Sequence, residues 1–158
     1  MVENNIRKLK MDYAPLAKKY KLPDFDGLNR DFEIEKIEKE TDYVLRTIRK
    51  AMMEKTVNSL GFLEMLMNPV NVPRMYLACV KSLTSEDMKT IDRIYRTFAD
   101  LILASLEREV NYSEQGEAEM IKLIYNKWAA VKAPFGVILR RLRLSHPVEI
   151  KKEKSYFG

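Results

Sequence analysis

The 158 residues are 46% apolar and 32% charged, with 28 lysines and arginines against 23 aspartates and glutamates. That balance excludes an intrinsically disordered chain and fits one domain able to bury roughly two thirds of its unfolded surface. One cysteine, one histidine and five scattered glycines exclude an internal disulfide, a thiolate–imidazole zinc site and a glycine-rich phosphate loop.

Strand signals are missing: no run alternates β-branched residues, and no Asn-Gly or Asp-Gly pair links two apolar runs. The expected fold is all-α, an irregular bundle of five to six helices organised around one long helix at about 34–67. Residues 1–146 form a single domain on this reading, and 147–158 a mobile basic tail. The prolines fall at segment ends with one clear exception, Pro15.

In chain order, Ile6, Leu9, Tyr13, Leu16 and Tyr20 make a stripe at helical spacing over 5–20, which Pro15 is expected to interrupt. Leu22-Pro23 ends it, and Asp24 is positioned to cap a short helix from Phe25 to Phe32, weakened by Gly27. The long pattern follows. Ile34, Ile37, Val44, Leu45, Ile48 and Met52 recur every three or four residues. After Lys55, Val57, Leu60, Phe62, Leu63, Met65, Leu66 and Met67 surround the helix.

A continuous helix from Ile34 to Met67 would run about 50 Å at 1.5 Å per residue, against a domain diameter of about 40 Å. It must bend, with Asn58–Gly61 the weak point, or be covered by a partner. Pro69 and Pro73 bracket a turn, with Asn71 a cap for a helix of about 73–83 that buries Cys79. Thr84 with Asp87 opens a helix running to Val110, with Met88, Ile91, Ile94, Tyr95, Phe98, Leu101, Ile102 and Leu106 inward. Ser113 caps the next helix, which presents Ile121, Ile124, Tyr125, Trp128 and Val131 before Ala133–Gly136 interrupts it; a short helix of about 137–144 closes the fold. The shared pattern I-x-x-I-Y-x-x-aromatic-A at Ile91–Ala99 and Ile121–Ala129 fits two core helices forming one aromatic layer of Tyr95, Phe98, Tyr125 and Trp128.

Charge is uneven. Residues 1–21 hold six cations against two carboxylates, residues 132–158 seven against two, and the body between is net acidic. Basic ends suit a polyanion, or an acidic body against which they fold. Arg140, Arg141, Arg143, Lys151 and Lys152 are the polyanion-binding candidates, as for a nucleic-acid accessory protein.

Catalytic constellations are poor. Cys79 with His146 is the one conceivable thiol–imidazole pair, and Cys79 lies in an apolar run. Glu35 with Glu38 or Asp42 could hold magnesium, as in helical nucleotide hydrolases, but lysines interleave with them. The expectation is a non-enzymatic protein with no cofactor and no bound metal. It self-associates or joins a protein partner through Met52, Met53, Val57, Leu60, Phe62, Leu63, Met65, Leu66 and Met67, a methionine-rich surface able to repack, the alternative being that this segment is the bundle's central core helix. No apolar run reaches the roughly 18 residues that cross a bilayer, and the N-terminus lacks a signal peptide's apolar core. No membrane association and a cytoplasmic location are therefore expected.

Overall fold

A computed structural model describes residues 2–37, 41–68, 70 and 72–145, with the backbone alone at 2–4 and 75. Among these described residues six α-helices form an all-α bundle: α1 (Val2–Tyr20), α2 (Phe25–Phe32), α3 (Val44–Met67), α4 (Arg74–Lys81), α5 (Ser85–Val110) and α6 (Glu114–Ser145). Helices α3, α5 and α6 pack on one another as the central layer. Arg108 reaches Glu119 and Arg141 reaches Asp87, so α5 and α6 are antiparallel. Arg49 meets Glu117, while Phe62 and Leu139 line one groove, so α3 runs alongside α6 in the same direction.

The caps form as their residue types dictate. Asp24 Oδ1 accepts from the Gly27 amide at 2.5 Å, and Thr84 and Asp87 exchange both hydrogen bonds of a capping box. The Gly116 amide donates to Ser113 Oγ at 3.0 Å. Gly27 is a requirement of its helix start, since a Cβ there would come within 2.9 Å of Asp24 Oδ1.

Three boundaries differ from the sequence expectation, each for a local reason. The long helix begins at Val44, not Ile34. Glu33 takes a left-handed φ of 52° that ends α2, and Ile34–Lys36 is a separate 3₁₀ turn. Asn29 holds this turn by accepting from the Glu35 amide at 2.9 Å and donating to the Glu35 carboxylate at 2.8 Å. Ile34 is fully buried as its apolar character demands, but from a different element. At 24 residues, α3 is about 36 Å long, and the overhang argument no longer applies to it.

The second and third differences concern prolines. Helix α1 runs through Pro15, which sits on the exposed side, where the carbonyl it leaves unpaired meets water. Helix α6 runs through Pro134 without interruption. Trp128, Val131, Phe135, Ile138 and Leu142 are buried at three- and four-residue steps on both sides of the proline. Their common seam against the bundle keeps the helix in one piece. With 32 residues, α6 is about 48 Å long and is the element that outruns the domain.

The core is a stack of rings flanked by aliphatic side chains. Phe98 stacks on Trp128 with centroids 5.7 Å apart and planes 15° off parallel, Phe32 lies 5.5 Å from the indole, and Phe135 packs edge-on to Phe98. The shared α5–α6 pattern thus delivers Phe98 and Trp128 to one layer, with Tyr95 and Tyr125 at its half-buried margin. Cys79 is buried.

Candidate functional site

The nine interface candidates on α3 divide between core and margin. Met52, Met53, Leu63 and Leu66 are buried, and Leu60, Phe62 and Met67 pack partly buried against the core. Met65 is half-buried and Val57 is exposed. Of the nine, only Val57 presents a largely open apolar surface.

Among the described residues, α5 carries an open apolar strip. Leu103 is 62% exposed, Leu106 56% and Val110 81%. Together with half-buried Ala99 they follow a four-three-four spacing, the seam of a helix that packs on another helix. Leu106, expected inward, thus faces out: one further turn of its helix places Ser105, not Leu106, on the buried line of Ile94, Phe98 and Leu101. The apolar strip continues past the helix end. Exposed Tyr112 meets exposed Tyr43 edge-to-face at 5.6 Å. On α3, Val57 lies three turns beyond Arg46 on the same face, and Arg46 binds Glu109 of α5, so Val57 adds to the α5 side.

Beneath this strip lies a polar cluster that the sequence reading missed. Arg49 and Glu117 are each 1% exposed and form an ion pair through Arg49 Nε. Arg49 Nη1 also donates to Ser105 Oγ at 2.5 Å, and Nη2 to Glu109 Oε1 at 2.6 Å. Arg46 Nη2 reaches the other Glu109 oxygen at 2.7 Å. Hydrogen bonds from Arg49 and then Arg46 hold the Glu109 carboxyl down at about 2, from an ordinary 4.5. Burial pulls the Arg49 guanidinium down, but the bonds to Glu117 and Glu109 more than offset this and leave it raised. Four hydrogen bonds from this one cation join α3, α5 and α6. Its sequence signal was phase: Arg49 falls on the line of Leu45, Ile48, Met52 and Met53, where only a fully paired charge can sit.

The polyanion candidates are scattered. Arg141 is bound to Asp87, whose carboxyl that hydrogen bond lowers. Arg140 and Arg143 are exposed. Lys151, Lys152, His146, Glu38, Pro69, Asn71 and the whole proposed tail lie outside the described residues, as does the side chain of Met75. Glu35 is engaged with Asn29, and among the described residues no group of three His, Cys, Asp or Glu is placed to hold a metal ion. No described helix is long and apolar enough to cross a membrane.

Phe62 lines an open groove of about 1090 Å³ between α3, the 3₁₀ turn and α6. Comparison with protein families, curated proteins and solved structures finds no match to this chain.

Proposed function

We propose that this is a non-enzymatic helical assembly protein that associates with a second copy of itself, its contact centred on the outer face of α5 and extended by Val57 of the 52–67 region. The observation that carries the reading is the exposed strip Leu103–Leu106–Val110, continuous with the Tyr43–Tyr112 pair. Exposed apolar residues gathered on one helix face, as opposed to scattered singly, mark interaction sites. A helix seam of this kind suits a two-fold, self-complementary contact, because each copy offers the same strip to the other. A stable dimer needs about 800 Å² from each partner, so the tyrosines and Val57 must flank the seam within it. The rigid cluster of Arg49 under the strip supports it, since a contact surface built on fixed helices loses little entropy on docking.

Size-exclusion chromatography with light scattering tests the reading. Wild type at tens of micromolar should run as a dimer, and Leu106→Asp, on an exposed position, should give a folded monomer. A wild-type monomer at 100 micromolar would sink it.

A second reading, binding to nucleic acid, is supported by the exposed Arg140 and Arg143 near the end of α6. It predicts retardation of RNA or DNA that weakens steeply with salt and is lost in the double alanine variant.

A further inference from the structure

The groove between α3 and α6 carries a different chemistry from the α5 strip. Its floor is aromatic and aliphatic: Phe32, Phe62, Trp128, Phe135 and Leu139. Four lysines stand in its lining, Lys36, Lys50, Lys55 and Lys132, against Glu33 and Glu54. Three of the four have a carboxylate neighbour: Glu33 for Lys36 at 2.5 Å, Glu109 for Lys50 at 3.7 Å and Asp31 for Lys132 at 2.5 Å. Lys55 differs. Its ammonium donates to the backbone carbonyl of Asp31 and lies over the Trp128 ring at 5.0 Å and the Phe32 ring at 6.0 Å. Among the described residues no carboxylate lies within ion-pairing distance of it. A half-buried cation held on an apolar floor by a carbonyl and two ring faces, with Glu33 acting on it only through space, can still take an anion in direct contact.

The shape selects among anions. The lining runs from Thr47 to Phe62 on α3 and from Trp128 to Leu139 on α6, about 22 Å and about 16 Å of helix. Both walls are helices running in the same direction, and the groove is open along its length. Its volume of about 1090 Å³ lies at the upper end of small-molecule pockets, so it is the elongated, open form that distinguishes it. A trough three to four turns long between two helices is the form that receives a third helix, laid with its apolar side down.

We infer that this groove is a docking site for an acidic amphipathic helix of another protein, with apolar anchors on Phe62, Phe135 and Leu139 and a carboxylate paired to Lys55. The rim lysines favour acidic flanks on the incoming helix and disfavour basic ones, so charge selects the partner while the floor supplies the contact. The groove and the α5 strip share no lining residue, and docking here does not depend on self-association.

The chain's one tryptophan lines the groove, which makes its fluorescence the readout. The probes are two designed 15-residue peptides with leucine at positions 1, 4, 8 and 11, one with glutamate flanks and one with lysine flanks. The acidic peptide should give a saturable change in Trp128 emission, and the basic peptide none. Lys55→Gln should weaken binding about tenfold. Gly136→Leu should abolish it, because a Cβ at Gly136 meets nothing within 4 Å and so projects into open space; its thermal unfolding should match wild type. Equal binding of both peptides, no response at 1 mM, or unchanged affinity in Lys55→Gln would overturn the assignment. So would a response to dodecanoate or to a single-stranded RNA exceeding that to the acidic peptide. Loss of peptide binding in Leu106→Asp would move the site to the strip and overturn it equally.

Discussion

The two halves of α3 invert the distribution that their composition suggests. The first half, Val44 to Thr56, contributes seven buried residues, and one of them is an arginine. The second half, apolar on nearly every side, contributes two, Leu63 and Leu66. Hydropathy reports what a side chain prefers; burial follows from how many neighbours surround it. The first half lies between α5 and α6 where both are long, so even Arg49 is enclosed, and it is tolerated because Glu117, Glu109 and Ser105 take its donors. The second half has fewer neighbours: Phe62 lines the groove, Val57 is exposed, and Leu60 and Met67 are only partly covered by the core.

If that contrast is right, the largest single effect on folding comes from the polar member of the first half. Arg49→Met leaves Glu117 buried and unpaired and should cost about 3–5 kcal/mol in urea denaturation. Adding Glu117→Leu should recover most of that loss, which a mere packing defect at position 49 would not allow.

Within the second half, a matched pair separates core from surface. Leu63→Ala, at a fully buried position, should cost about 2–5 kcal/mol. Val57→Ala, at a position 46% exposed, should stay within about 0.5 kcal/mol. Similar costs at the two sites would erase the distinction between the helix's inner and outer faces.

The cluster also sets an acid limb. Glu109 has a folded pKa of about 2 against 4.5 unperturbed. Its contribution is therefore fully present above pH 4.5 and is lost as pH falls from there toward 2. Denaturant midpoints measured between pH 6 and pH 2.5 should decline, and Glu109→Gln should flatten that decline while lowering the neutral-pH midpoint. A decline unchanged in the variant would assign the acid limb elsewhere.

The smallest effect has the opposite sign. Asn58–Gly61 is the weak point at which a longer helix would bend, yet α3 is continuous through it and a Cβ at Gly61 meets nothing within 4 Å. Gly61→Ala should stabilise by about 0.5–1 kcal/mol, seen as a raised thermal midpoint.

Fold class and most helix starts were legible because they depend on local chemistry: Asp24, Thr84 with Asp87, and Ser113 each cap the helix that follows them. The break before Val44 was not legible, since it depends on Glu33 adopting a left-handed backbone and Asn29 reaching across to Glu35. The continuity of α6 through Pro134 was likewise hidden, because it comes from contacts on both sides of the proline with other helices. As for surfaces, the sequence singled out α3, but which of its faces remains open depends on where α5 and α6 lie. Leu106 shows the difficulty: its spacing from Ile102 fits an inward stripe, and only the position of Ser105 against Arg49 turns it out.

Cross-linking tests self-association through α5 most directly. Cys79 is buried, so an introduced surface thiol is a unique handle. Leu106→Cys on the strip should form a disulfide-linked dimer under mild oxidation at micromolar concentration, and Ala129→Cys, exposed on α6, should not. Equal cross-linking at both positions, or at Ala129→Cys alone, would contradict an α5 contact between two copies.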